Sequence, residues 1–195
     1  MKIRVAINGF GRIGRNLFRL LLNHPSIEVV AINDIADIKT MSHLVKYDSI
    51  HGVLQRSISV ENETLLVDDL KFQFFHESDI SKLPWKTLDI DFVIEATGKF
   101  KTTETAQLHI SAGAKKVILS APPEDDKIKT VVLGVNEHIL DGSENIISNA
   151  SCTTNNAAPM LKIIQELCGI EQAYITTVHS YTTDQSLHDQ PHKDL

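Results

Sequence analysis

Apolar residues recur along this chain in two rhythms. Residues 2–8, 28–33, 91–96, 116–120, 130–133 and 146–148 are short runs dense in Val, Ile, Leu and Ala, the pattern of strands buried on both faces. Between them, residues 12–23, 39–47, 102–112 and 153–167 space their apolar positions three or four apart, which predicts helices. On the first of these, Ile13, Leu17, Leu20 and Leu21 have helical spacing. The last carries an apolar stripe on one face, Ala157, Met160, Leu161, Ile164 and Leu167. His24-Pro25-Ser26, Gly113 and Gly169 supply the stops. Residues 54–75 differ: β-rich pieces broken at Glu61-Asn62-Glu63 and Asp68-Asp69 predict antiparallel hairpins. Residues 173–179 read as a further strand, whereas residues 180–195 are polar and carry no helix or strand signal.

Strands alternating with helices predict an α/β fold of the Rossmann type, a doubly wound, mostly parallel sheet. Ligands of such sheets bind beyond the carboxyl ends of the strands, so chemistry is sought there. Gly9-Phe10-Gly11-Arg12-Ile13-Gly14 follows the first strand and opens the first helix, and Asp34 ends the second strand. This strand-turn-helix context turns G-x-G-x-x-G into a dinucleotide fingerprint. Gly9 allows the tight turn, Gly11 lets the backbone approach a pyrophosphate, and Gly14 lets helix and strand pack closely. The helix N-terminus offers unpaired N–H groups to phosphate, Arg12 chiefly through its backbone. Asp34 suits the two ribose hydroxyls and repels a 2′-phosphate, which favours NAD over NADP. Thr97, Gly98 and Ser120 follow two later strands and fall in the same crevice. The competing reading is a plain βα turn with a surface acid and ordinary turn residues.

A second locus is Ser148-Asn149-Ala150-Ser151-Cys152-Thr153-Thr154-Asn155, small polar residues just ahead of a helix. Ser151 suits an N-cap, which puts Cys152 in the first turn, where the helix dipole favours thiolate. His179 ends the run 173–179, and the two suggest a nucleophile–base pair. The alternative is a small buried hydrophobe, the reading given to Cys168 among apolar neighbours. His188 and His192 share an i, i+4 spacing, but Pro191 between them argues against a helical metal site, and no metal is expected.

The chain has 195 residues, 42% of them hydrophobic, and a formal charge of −6. That balance suits a globular protein and argues against nucleic acid or an anionic membrane as partner. No apolar run reaches the length of a membrane helix, and the N-terminus lacks a signal-peptide pattern. Two cysteines make no disulfide framework, so a reducing, cytoplasmic setting is expected.

Four segments, I-N-G-F-G-R-I-G-R, E-A-T-G at 95–98, S-N-A-S-C-T-T-N at 148–155 and T-T-V-H-S-Y-T at 176–182, closely resemble phosphorylating glyceraldehyde-3-phosphate dehydrogenases. The resemblance runs the length of the chain, and the cysteine-centred octet is its most specific part. It implies NAD as cofactor, glyceraldehyde 3-phosphate and inorganic phosphate as substrates, and a homotetramer. It implies Cys152 as nucleophile and His179 as its base, with Ser151 and Thr153 near the attacking phosphate and Thr182 at the substrate's own phosphate. Arg12, Ile13, Asp34 and Ser120 match cofactor contacts. It further implies residues 1–150 as the NAD-binding domain and 151–195 as the incomplete beginning of an α+β catalytic domain, so the chain is expected to be an N-terminal part of such an enzyme. Ser78 stands where a basic residue is usual, and Asn156 where a second cysteine is common. Two alternatives are carried: an erythrose-4-phosphate dehydrogenase, and a truncated, non-catalytic NAD-binding module.

Overall fold

A computed structural model of the chain describes residues 2–179. Strand β1 (Ile3–Asn8) leads through helix α1 (Arg12–Leu21) to β2 (Ile27–Asn33), which pairs with β1 in parallel. Helix α2 (Ile38–Lys46) follows, then a small separate hairpin, β3 (Tyr47–Asp48) with β4 (Gly52–Val53). Strands β5 (Ile58–Glu61), β6 (Thr64–Val67) and β7 (Leu70–Phe75) form the expected meander. Its turns sit where the polar breaks predict them. Asn62 and Glu63 both take positive φ (45° and 58°), as a two-residue turn matched to strand twist requires, and Asp68 does so in the next turn (52°).

The chain then crosses to the other side of β1. Strand β8 (Phe92–Glu95), helix α3 (Thr103–Ser111), β9 (Lys116–Leu119), β10 (Lys129–Thr130) and β11 (Ile146–Ser148) complete a nine-stranded sheet of order β10-β11-β9-β8-β1-β2-β7-β6-β5. Ladders from β10 to β7 are parallel, and β6 and β5 extend the edge antiparallel. The architecture is thus the expected Rossmann-type one. Strand order reverses between β1 and β8, the point where the loops on either side part and leave a crevice. Helix α4 (Cys152–Cys168) follows β11 directly. No helix among the described residues is long and apolar enough to cross a membrane.

Alternation along the strands sends side chains to two cores. Ile7 and Ile32 join Phe18 of α1 and Met41 and Leu44 of α2 on one face. Ala6 and Ala31 join Trp85, Val93 and Ala106 of α3 on the other. Phe10, between the first two glycines, is fully buried and meets Phe18 edge-on at 5.4 Å. The glycine loop is therefore anchored in the core by the side chain it carries.

Five expectations need correction. Of the apolar positions that predict α1, Leu21 packs on the core, but Ile13 and Leu20 are 58% and 76% exposed, and Gly14, Arg15 and Phe18 are buried. Gly14 faces the Gly9 carbonyl too closely to admit a Cβ, so this side of the helix is the one set against the strand end. The strand expected over residues 130–133 stops at Thr130, because the Asn136 side chain takes the Val132 N–H (2.8 Å) and donates to the Thr130 carbonyl (3.0 Å), turning the chain. No strand forms over residues 173–179, which are exposed and without regular structure; among the described residues no neighbouring strand pairs with them. The stripe of α4 is largely uncovered, with Met160, Ile164 and Leu167 exposed, and Cys168 is exposed rather than buried.

Candidate functional site

The carboxyl edge of the sheet gathers the first set of residues. Gly9 takes φ +92°, and a Cβ there falls 2.6 Å from the Thr97 backbone N, so the glycine loop lies directly on the turn that follows β8. A Cβ on Gly14 falls 2.1 Å from the Gly9 carbonyl oxygen, which leaves only glycine able to seat α1 this close to the strand end. At Gly11 a Cβ meets nothing within 4 Å. Gly11 is also the N-cap of α1, and no side chain caps that helix. An open cradle ahead of uncapped amides, those of Arg12 and Ile13 in the first turn, fits a pyrophosphate.

Asp34 stands at the neighbouring strand end and closes the loop from outside. One carboxylate oxygen accepts the Phe10 N–H (2.6 Å) and the other the Ala36 N–H (2.8 Å). Each oxygen keeps lone-pair capacity toward a ribose hydroxyl. Thr97 donates its N–H to Glu95 Oε1 (2.8 Å), and Gly98 follows at φ +71° with open space at its Cβ. The Ser120 N–H donates to the Glu95 carbonyl (2.9 Å), which places it beside them at the end of β9. Every predicted residue of this group thus lies on one edge of the sheet.

The same edge delivers the second locus. Strand β11 lies beside β9, and the Asn149 N–H still donates to the Leu119 carbonyl (3.0 Å). Ala150 then takes a left-handed conformation (φ 59°) while 2% exposed, a strained setting for a residue with a Cβ. Its N–H is held by the Ser148 hydroxyl (3.1 Å), and the kink turns the chain into α4. Ser151 caps that helix as predicted, accepting the Thr154 N–H at 3.0 Å. Cys152 is therefore the first helical residue, exposed at a positive helix end.

His179 ends the segment 173–179 and brings Nε2 to 3.2 Å from Cys152 Sγ. This hydrogen bond is the largest influence on the thiol and lowers its pKa below the ordinary value. Partial burial opposes the shift, and the Thr153 N–H and hydroxyl and the charge on His179 add to it. The pair borders a cleft of about 380 Å³ lined by Thr153, Asn156, Met160 and Thr177. A thiol whose pKa is lowered, set in an open cleft at a helix N-terminus, is equipped to attack an electrophilic carbon as thiolate and to stabilise developing negative charge. Thiolate then persists to lower pH than in an ordinary cysteine. Peptide-resolved alkylation of Cys152 against pH is expected to inflect below the pH at which an ordinary cysteine does, and His179→Ala is expected to move the inflection upward. An unmoved profile in that variant would show that the imidazole does not activate the thiol. Thr182, His188 and His192 lie outside the described residues.

Sequence reasoning missed the residues that hold the first locus together. Asn8, Asn33, Glu95 and His109 are all buried and joined by hydrogen bonds. The signal was present: three apolar strand runs each close on a polar residue, in I-N, I-N and I-E. Arg15, also buried, donates to the Phe10 carbonyl (3.0 Å) and braces the glycine loop from behind.

Comparison with known proteins adds the following. Residues 3–103 match the family model described as glyceraldehyde 3-phosphate dehydrogenase, NAD binding domain, and residues 151–195 match that family's C-terminal domain. A glyceraldehyde-3-phosphate dehydrogenase of Thermotoga maritima is 54% identical over 194 residues, covering 98% of this chain and 58% of the relative. One of Geobacillus stearothermophilus is 50% identical over 196 residues, covering 100% and 58%. One of Mycoplasma pneumoniae is 50% identical over 193 residues, covering 99% and 57%. The chain thus spans somewhat over half the length of these relatives.

Proposed function

The chain belongs to the glyceraldehyde-3-phosphate dehydrogenase family, and on that premise we propose that the native protein oxidises glyceraldehyde 3-phosphate with NAD and phosphate to 1,3-bisphosphoglycerate. Residues 3–103 are an NAD-binding domain of this family. We divide the chain into this cofactor unit, residues 1–150, and the opening part of a catalytic unit, residues 151–195. The observation that carries the reading is the 3.2 Å approach of His179 Nε2 to Cys152 Sγ on the same sheet edge as the glycine cradle. The relatives are named for the glyceraldehyde substrate, which does not favour the erythrose-4-phosphate alternative.

The residues divide the work as follows. The open cradle at Gly11 and the amides of Arg12 and Ile13 hold the pyrophosphate, and Asp34 holds the ribose. Gly9 and Gly14 set the loop, while Thr97, Gly98 and Ser120 border the crevice. NAD, when bound, supplies the hydride acceptor. Cys152 Sγ adds to the aldehyde carbon, forming a C–S bond and a hemithioacetal. His179 takes the hydroxyl proton as the hydride leaves that carbon, so the carbon is oxidised to a thioester. Ser151 and Thr153, at the helix N-terminus, hold inorganic phosphate for attack on the thioester, which releases the acyl phosphate and returns the thiolate. Thr182 is assigned to the substrate's own phosphate.

We further propose a homotetramer in the cytoplasm, where Cys152 and Cys168, both unpaired, stay reduced. NADH formation from glyceraldehyde 3-phosphate by the native protein is expected to require inorganic phosphate. Equal rates with and without phosphate would overturn the assignment. NAD binding without thiol acylation by substrate would reduce the protein to a binding module.

A further inference from the structure

Three neighbouring parallel strands end in buried polar residues where apolar ones would pack as well. Asn8 closes β1, Asn33 closes β2 and Glu95 closes β8, at 0%, 4% and 2% exposure. The register sets Asn8 level with both others, so the three form one row across the sheet. Each immediately precedes a loop of the cofactor crevice: Gly9, Asp34 and the 96–98 turn. Asn33 Nδ2 donates to Asn8 Oδ1 (2.7 Å), and Asn8 Nδ2 donates to Glu95 Oε2 (2.5 Å). His109 Nε2 reaches the same oxygen at 3.0 Å, and Trp85 Nε1 donates to His109 Nδ1 at 3.0 Å. The other oxygen, Oε1, accepts both the N–H and the hydroxyl of Thr97.

The directions of the bonds along the row, from Asn33 through Asn8 and from Trp85 through His109, are set from its two ends. The Glu77 backbone accepts from Asn33 Nδ2 and donates to Asn33 Oδ1, both at 2.9 Å, which fixes how that amide faces. Asn8 must then present its carbonyl to Asn33 and its NH₂ to Glu95. At the other end an indole N–H only donates, so His109 Nδ1 accepts and Nε2 carries the proton toward Glu95. Backbone N–H of Thr97 also only donates. Glu95 thus faces three fixed donors, from Asn8, His109 and the Thr97 N–H, and the Thr97 hydroxyl besides, a set that a carboxylate satisfies. The hydroxyl of Thr97 is free to donate there because it accepts the Lys99 N–H (3.1 Å) with a lone pair.

We propose that Glu95 is a positioning residue for the cofactor crevice: held by Asn8 and His109, its carboxylate presets the 96–98 turn against Gly9 before NAD arrives. The inference rests on the reading of that crevice as the NAD site. Apolar packing at the strand end supplies no direction, whereas two hydrogen bonds to one residue fix both the backbone and the side chain of Thr97. Because Gly9 lies against that same turn, an error in its placement passes straight to the glycine loop.

The test combines hydrogen exchange without NAD, NAD titration and thermal melting of the native protein and its variants. The 96–98 turn is expected to be protected in the absence of NAD and to lose that protection in Glu95→Gln, whose NH₂ meets at least one fixed donor whichever way it turns: Asn8 and His109 on one side, the Thr97 N–H on the other. Binding of NAD is expected to weaken about tenfold in Glu95→Gln, the consequence of mispaired buried hydrogen bonds. His109→Leu is expected to weaken it as well, while His109→Gln, which can donate to Glu95 and accept from Trp85, stays within about twofold of wild type. If Glu95→Gln does not fold, the His109 pair and the wild-type exchange decide. A turn protected only once NAD is added overturns the proposal. So do variants that melt earlier yet bind NAD as wild type, since the row is then merely structural. A wild-type protein that takes up no NAD defeats the functional reading instead, and the exchange comparison still judges the preset turn.

Discussion

Replacing Cys152 by alanine is expected to abolish phosphate-dependent NADH formation in the native protein, by about 10⁴-fold or more, the scale of losing a covalent nucleophile. The fold should survive, because Cys152 is exposed at the start of α4 and the cap that begins this helix belongs to Ser151. NAD affinity is expected to stay near wild type, since the glycine cradle lies on a different set of strand ends. The loss therefore belongs in kcat, without a compensating change in melting temperature. Turnover and NAD titration on the same preparation check both halves. A variant that keeps even a tenth of its turnover would mean that Cys152 forms no covalent intermediate, and the Cys–His pair would need another role.

Gly14→Ala is expected to fail for the opposite reason, through the fold. Its new Cβ lands 2.1 Å from the Gly9 carbonyl oxygen and 3.2 Å from Ile7 Cγ2. The first neighbour is backbone, fixed between a buried strand and a core aromatic, so α1 must move away. Overpacking of this kind costs about 3 kcal/mol, and the melting temperature should fall by roughly 10 °C for a chain of this size. Gly11→Ala is the contrast. Its Cβ enters open space at a φ of −69°, which alanine accepts, so stability should hold within about 0.5 kcal/mol. NAD affinity should nevertheless fall, because the methyl group occupies the cradle. Melting and NAD titration of the two variants separate the roles, and equal melting temperatures would refute the close packing assigned to Gly14.

The strand–helix alternation and the hairpin breaks were legible because each rests on local chemistry. Buried strands need continuous apolar runs, and tight turns need residues such as Asn62 and Asp68 that tolerate positive φ. The helix start at Cys152 was legible too, since Ser151 caps through its own side chain. The inward face of α1 was not. Periodicity finds apolar positions, but the side set against the strand end is the one carrying Gly14, which lies close on Gly9, and Ile13 and Leu20 are in solvent. Likewise 173–179 has strand composition, and composition cannot supply the partner that a ladder requires.

By itself, then, the sequence determined the α/β class, the order of its elements, the glycine cradle with Asp34, and the small polar octet that starts a helix at Cys152. Those features depend on neighbours a few residues apart. Only the tertiary structure decided that Asn8, Asn33 and Glu95 share one buried row, and that His179 lies 3.2 Å from a cysteine 27 positions earlier. Hydrogen bonds act over about 3 Å, while the residues that make these lie far apart along the chain. Sheet register brings the row together and the fold brings the pair together, and no local pattern of residues records either.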